Sequence, residues 1–196
     1  MSRAYQIRVN ETIHEELRAG DQVSTRLELL GVLPPEEMAG LLSKELLGRG
    51  FKEKPDAGGK TLIREDARTG VSIEVDVASG EVTASAQACR DAEISGTRQG
   101  WGDTDWGKSG RDSTENRLRE ELRKNLREQA GKRTEQLQAE VTKQLEKELI
   151  DLSGELDQVV NKVTAEALKI KASRMGRIKD ISENSEAGEL TITVEV

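Results

Sequence analysis

One eight-residue run carries the clearest chemical signature in this chain: Gly102-Asp103-Thr104-Asp105-Trp106-Gly107-Lys108-Ser109. It fits the spacing G-x-x-x-x-G-K-[ST]. In that motif backbone N–H groups curl around phosphates, the Lys reaches the outer phosphates and the hydroxyl holds Mg²⁺. Gly102, Gly107, Lys108 and Ser109 are therefore the candidate nucleotide-binding residues. Their surroundings argue against that use. A phosphate loop follows a buried parallel strand, and its Lys-Ser opens a helix. Here Ser95–Trp101 reads as a polar, Gly-containing loop, and Gly110-Arg111-Asp112 separates Lys108-Ser109 from the helical pattern beyond. Asp103 and Asp105 put negative charge where phosphates would sit. The competing reading is a Gly-rich linker. The same segment begins like a calcium loop, but Gly107 replaces the third acid and Thr114 stands where a bidentate Glu is needed.

Other reactive types are scarce. The chain has one His and one Cys, which excludes His/Cys zinc clusters, disulfide frameworks and Fe–S sites. His14 lacks the second His of a zinc-protease helix, and Cys89 ends a strand with no nearby His or basic cluster in sequence to make it a nucleophile. We therefore expect no catalytic residue, no metal and no cofactor. Trp, Tyr and Phe make up 2% of the residues, too few for an aromatic-lined pocket or a base-stacking platform. Trp101 and Trp106 lie five residues apart in the Gly-rich segment. Either they cap an open edge of the core, or they anchor a partner protein, since Trp is enriched at interface hot spots. The net charge of −7 disfavours nucleic acid and anionic lipid as partners. The first residues run into a strand pattern with no apolar run of the kind a signal peptide or membrane span needs. A cytoplasmic location is the expectation.

The elements that would position these residues follow from periodicity. Tyr5, Ile7 and Val9 alternate with polar residues, as do Val23, Thr25, Leu27 and Leu29, which is the mark of half-buried strands. Pro34-Pro35-Glu36-Glu37 starts a helix whose stripe is Met38, Leu41, Leu42 and Leu46. Strands follow at 61–64, 71–77 and 81–89, joined by short Gly turns, which implies antiparallel pairing. Leu190, Ile192, Val194 and Val196 form a closing strand. Residues 113–175 contain no Pro and carry 13 basic and 12 acidic side chains, a composition that suits a solvated helix laced with ion pairs. Asp112 and Glu115 fit a capping box. Leu118, Leu122, Leu126 and Ala130 are spaced by fours, while Leu149, Leu152, Leu156, Val159 and Val163 follow a 3-4 seam. Asp151-Leu152-Ser153-Gly154 is the candidate break, by kink or by reversal.

The expected fold is α+β. An antiparallel sheet has one covering helix, and a long, coiled-coil-like helical excursion precedes the final strand. Residues 1–95 plus 176–196 form the sheet body, with the closing strand in the same sheet. Residues 96–112 are a Gly-rich linker and 113–175 are the helical segment. The stripe Leu149, Leu152, Leu156, Val159 and Val163 outruns a small body, so it is expected to be partly exposed. It is then the surface for a protein partner or for self-association, with Trp101 and Trp106 as the second candidate surface.

Two stretches carry a family resemblance. One is Arg3-Ala4-Tyr5-Gln6-Ile7-Arg8-Val9 through Val23–Leu30 and Leu33-Pro34. The other is Val159–Lys169, continuing into Gly176-Arg177-Ile178-Lys179-Asp180-Ile181 and the final strand. Together they resemble a family of bacterial accessory domains of ternary systems. Those systems set an FtsH- or MoxR-type AAA+ ATPase beside a von Willebrand A protein and small partner domains. The resemblance covers both ends of the chain and brings no site residues with it. It implies a role beside the AAA+ machine, with the AAA+ ATPase or the von Willebrand A protein as the partner, while the shortage of His, Cys and aromatics and the mixed-charge helix lead us to expect a non-catalytic adaptor. The alternative function is a nucleotide- or small-ligand-binding protein using Gly102–Ser109.

Overall fold

The computed structural model describes residues 4–55, 58–103, 107–184 and 189–195. In chain order the elements are β1 (Ala4–Arg26), α1 (Pro35–Gly48), β2 (Lys52–Glu53), β3 (Thr61–Asp66), β4 (Val71–Asp76), β5 (Glu81–Asp103), α2 (Gly107–Met175), β6 (Arg177–Asn184) and β7 (Glu189–Glu195). The order β1-β5-β4-β3-β2 makes a five-stranded sheet, and β6-β7 make a separate pair. The α+β architecture, with a long helix ahead of the final strands, is as expected.

The turns on either side of β4 share one chemistry. Asp66-Ala67-Arg68-Thr69-Gly70 and Asp76-Val77-Ala78-Ser79-Gly80 each begin with Asp and end with a Gly at positive φ, +68° and +73°. In each, the Gly N–H donates to the Asp carbonyl, at 2.9 and 2.8 Å. The Asp76 carboxylate accepts the N–H groups of Ala78 and Ser79 at 2.9 and 2.8 Å, which holds its pKa below the usual carboxylate range. An L residue with a Cβ would be strained at either Gly. The turns set the registers Leu62↔Val75 and Val75↔Val82, and all three of these residues are buried.

The chain divides into two compact units. The first comprises Met1–Gly20 and Gln87–Thr142, the second Asp21–Ala86 and Lys143–Val196. Each unit holds a part of β1, of β5 and of α2.

In the first unit, Ile7, Val9 and Leu17 of β1 and Ile94 of β5 form one core with Leu118, Leu122, Leu126, Ala130 and Leu137 of α2. Steps of four residues advance a seam by about 40° around a helix at 3.6 residues per turn. Such a seam stays covered only if the opposing surface turns with it, and paired strands twist. Residues 96–103, expected to be a linker, continue β5 instead. Gly96 and Gly100 face the helix there. A Cβ on Gly96 would lie 3.0 Å from the ends of Leu122 and Leu126, and one on Gly100 would lie 2.9 Å from Leu118. Gly within a strand commonly marks such a close approach.

In the second unit, Leu42 and Leu46 of α1, Leu62, Val75 and Val82 of the sheet, and Val159 and Val163 of α2 are almost fully buried. Arg64 on β3 meets Glu155 on α2 with two hydrogen bonds, at 2.8 and 2.7 Å, and its guanidinium lies 4.6 Å from the centre of the Phe51 ring. The Arg64 hydrogen bond keeps the Glu155 carboxyl below its ordinary pKa. Lys162–Glu45 and Arg174–Glu37 tie α2 to α1.

The chain does not reverse at 151–154, and α2 runs through these residues as a helix. Asp151, Ser153 and Gly154 are exposed, whereas Leu152 and Leu156 are buried. Gly costs a helix only about 1 kcal/mol relative to Ala, less than burying the two Leu side chains contributes. The expectation that the closing strand joins the main sheet is also corrected. Strand β7 pairs with β6 alone among the described residues, from Arg177↔Glu195 to Asn184↔Glu189.

Candidate functional site

The helical stripe does not form an exposed surface. Leu152, Leu156, Val159 and Val163 are 5%, 6%, 0% and 1% exposed, and Leu149 is half-buried. The partial exposure expected of the stripe is therefore corrected for Leu152, Leu156, Val159 and Val163, which belong to the second unit's own core, and not for Leu149. The physical reason is the neighbourhood of α1 and β3, which the ion pairs at Glu155, Lys162 and Arg174 hold against this stretch of α2.

The Gly102–Ser109 run falls between two elements. Gly102 lies near the end of β5, while Gly107, Lys108 and Ser109 open α2. Helix α2 thus begins before Asp112, and Thr114 Oγ already donates to the Gly110 carbonyl at 2.9 Å, four residues back. Residues 104–106, Trp106 among them, lie outside the described residues, as do the side chains of 102–109. The strand that leads into the run is not parallel to its neighbours. Strand β4 pairs with β5 antiparallel. Along β1, the β5 partners of Gln6, Asn10 and Glu16 are Gln99, Thr97 and Cys89, so partner numbers fall as β1 rises.

Trp101 is the sequence candidate that the structure leaves open. It is 70% exposed, so it does not cap the core. Alternation on β5 turns Gly96 and Gly100 toward α2 and places Thr97, Gln99 and Trp101 on the opposite face. Gln6, Arg8 and Asn10 of β1 share that face. These polar side chains are already tied to one another. Thr97 Oγ donates to Asn10 Oδ1 at 2.8 Å, and the Gln6 and Gln99 amides meet at 2.7 Å. That contact is Gln6 Nε2 donating to Gln99 Oε1 in one orientation of the Gln99 amide; with the amide turned over, its oxygen accepts instead from Arg8 Nη2 and Nε at 2.8 and 3.0 Å. The result is a solvent-facing sheet surface of hydrogen-bonded amide, hydroxyl and guanidinium groups ending on an exposed indole. Beneath it, Tyr5 is half-buried, and the Arg111 guanidinium lies 5.8 Å from its ring centre.

The polar groups beside Trp101 were not singled out from the sequence. The signal was present: Val82, Ala84, Ala86, Ala88, Ala92, Ile94, Gly96 and Gly100 occupy even positions of one alternation, interrupted at Arg90 and Arg98. Followed to its end, it assigns odd positions up to Trp101 to the solvent face.

Cys89 is exposed, and its Sγ donates to Glu16 at 2.8 Å. That bond raises the thiol pKa, the opposite of what a nucleophile needs. Among the described residues, no helix is long and apolar enough to cross a membrane.

The model of one protein family, described as FtsH ternary system domain X5, matches residues 1–196. No curated protein matches the chain, and no solved structure does.

Proposed function

We propose that this chain, which belongs to the family FtsH ternary system domain X5, is a non-catalytic adaptor of its system that binds a protein partner through the Trp101 face. The partner in this reading is the AAA+ ATPase or the von Willebrand A protein of the same system. One observation carries it: a 70% exposed Trp stands on a sheet face whose polar groups are already hydrogen-bonded. Large aromatic side chains beside Arg are the usual centres of binding energy. Groups held in place before binding lose little freedom on binding. The test is affinity between the purified chain and each of the two partners. Trp101→Ala is expected to weaken binding about thirtyfold, which corresponds to roughly 2 kcal/mol, while the thermal midpoint stays put. Equal affinity of wild type and variant for both partners, or no binding to either, would sink this reading.

A second reading has one observation in its favour. Strand β5 ends just after Gly102 and Lys108 lies in the first turn of α2, a strand-loop-helix order like that of a phosphate loop. The antiparallel setting of β5 weighs against it. We expect no ATP or GTP turnover and no saturable Mg²⁺-nucleotide binding by calorimetry. Binding that disappears in Lys108→Ala would reverse the ranking of the two readings.

A further inference from the structure

We infer that the free edge of β1 in the first unit is a self-association surface, where residues 5–19 pair antiparallel with the same residues of a second copy of this chain, Thr12 opposite Thr12. The pairing needs no other protein of the system, so it stands or falls separately from the adaptor reading.

The edge is open because the sheet narrows. Strand β1 ends the strand order, with β5 as its one neighbour among the described residues. Strand β4 stops pairing with β5 at Val71↔Ala86, yet β5 continues to Asp103. The first unit's part of β1 therefore belongs to a two-stranded ribbon with α2 on one face. A strand at an edge presents unpaired N–H and C=O groups, a template for another strand, and proteins blunt such edges with Pro or Lys. Strand β1 contains neither. Helix α2 closes the edge at one point. Gln138 accepts from the Gly20 N–H at 3.3 Å and donates to the Gly20 carbonyl at 3.0 Å. A neighbouring strand would take both groups of one residue in the same way. Among the described residues, no side chain caps a backbone group of residues 4–19 like this.

Charge selects a second copy, and with it one register. Two copies of a strand related by a two-fold axis pair odd residues with odd and even with even, because opposed residues point to the same face. On β5 beyond Ala86 the bases, Arg90 and Arg98, are even-numbered, and the acids, Asp91, Glu93 and Asp103, are odd-numbered. Self-pairing there never sets an acid against a base. On β1, Arg8 and Glu16 are both even and both exposed. With Thr12 on the axis, Arg8 lies opposite the second copy's Glu16, and the symmetry repeats the pair. Glu16 already accepts from Arg18 and Cys89, and Arg8 is within reach of Gln99. A carboxylate accepts up to about four hydrogen bonds and a guanidinium donates up to about five, so both have capacity left.

The helix-facing row agrees. Ile7 lies opposite the second copy's Leu17 and Tyr5 opposite its Ala19, which carries the apolar row under α2 across the join. Between them, Val9 and Ile13 fall opposite the second copy's Glu15 and Glu11. These acids gather where Arg119 and Arg123 stand, 3.8 and 3.4 Å from Glu11 within one copy. Moving the axis to Glu11 would oppose Glu11 to itself. Moving it to Ile13 would oppose Arg8 to Arg18 and Glu11 to Glu15. Like charges directly opposite destabilise a strand pair. The favoured register joins the two ribbons into one sheet, with both Trp101 side chains on the same face.

The full-length chain is expected to have twice its monomer mass by light scattering at micromolar and higher concentration. Arg8→Glu is expected to weaken the dimer about tenfold, since two like-charge pairs replace two ion pairs, and adding Glu16→Arg should restore it. Disulfide trapping reads the register. Directly opposed residues of antiparallel strands have Cα atoms about 4.5–5.5 Å apart, within the roughly 4.4–6.8 Å that a disulfide spans. In a Cys89→Ser background, Thr12→Cys chains should therefore oxidise to a covalent homodimer. Asn10→Cys and His14→Cys chains should stay uncoupled alone, each more than about 13 Å from its own copy, and should couple when mixed. The inference is overturned by a wild type that stays monomeric to the limit of solubility, or by an assembly that grows beyond two copies. It is equally overturned by a dimer indifferent to Arg8→Glu, or by one that Thr12→Cys does not trap. The wild-type mass and the trapping decide the matter even if Arg8→Glu does not fold.

Discussion

A chain carrying Leu152→Glu and Leu156→Glu should lose the folded core of its second unit rather than merely lose a binding surface. Both side chains are buried, at 5% and 6% exposure. Removing a buried Leu side chain costs about 2–5 kcal/mol, and the introduced carboxylates have no partner there, which adds a further penalty. Two such changes match or exceed the roughly 5–15 kcal/mol that holds a typical domain together. The expected readout is loss of the cooperative thermal transition, with much of the helical circular dichroism signal. Ile150→Glu is the control. Ile150 is on the same helix but 75% exposed, so the change should stay within about 0.5 kcal/mol of wild type. A double variant that melts like wild type would show that the stripe is a surface after all.

In the first unit, Gly96→Val and Leu126→Ala should each be costly alone and less costly together. Leu126 is fully buried, and its truncation is expected to cost about 2–5 kcal/mol. A Val at 96 places its Cβ 3.0 Å from the ends of Leu122 and Leu126, with two further methyl groups to accommodate. Overpacking of this kind costs about 1–3 kcal/mol. Gly96→Ala should be milder, because the atoms in the way are the tips of flexible side chains. Combining Gly96→Val with Leu126→Ala fills part of the space that the truncation opens. The two costs should therefore fall short of adding by about 0.5–3 kcal/mol, the usual coupling of residues in contact. Denaturant midpoints of the four chains measure this. Strict additivity would mean that the helix does not approach the strand so closely.

Periodicity and turn chemistry by themselves determined the α+β class. They located α1 from Pro35 and its acidic first turn, the hairpin strands around Asp66–Gly70 and Asp76–Gly80, and the helical character of 113–175. Those features rest on interactions between residues close in sequence, so local patterns carry them. The ends of β1 and β5 were not legible in the same way. A strand of 23 residues is several times the usual length, and its alternation is filled out by Glu11, Ala, Gly and Arg rather than by β-branched residues. The small side chains of β5 make sense only once a helix lies against them, and Gly96 and Gly100 look like linker residues until Leu118, Leu122 and Leu126 are seen above them.

Two matters were settled by tertiary structure alone. The first is which stripe is covered. Nothing local in Leu152, Leu156, Val159 and Val163 distinguishes an interface from a core; α1 and β3 bury them through contacts about a hundred residues away in sequence, such as Arg64 to Glu155. The second is the fate of the closing strand. Its alternation was evident, but its partner β6 was hidden, because a bulge puts Ile178 and Ile181 on one face at a spacing of three. A period of two cannot reveal a strand whose register slips, since the slip exists only relative to the strand beside it.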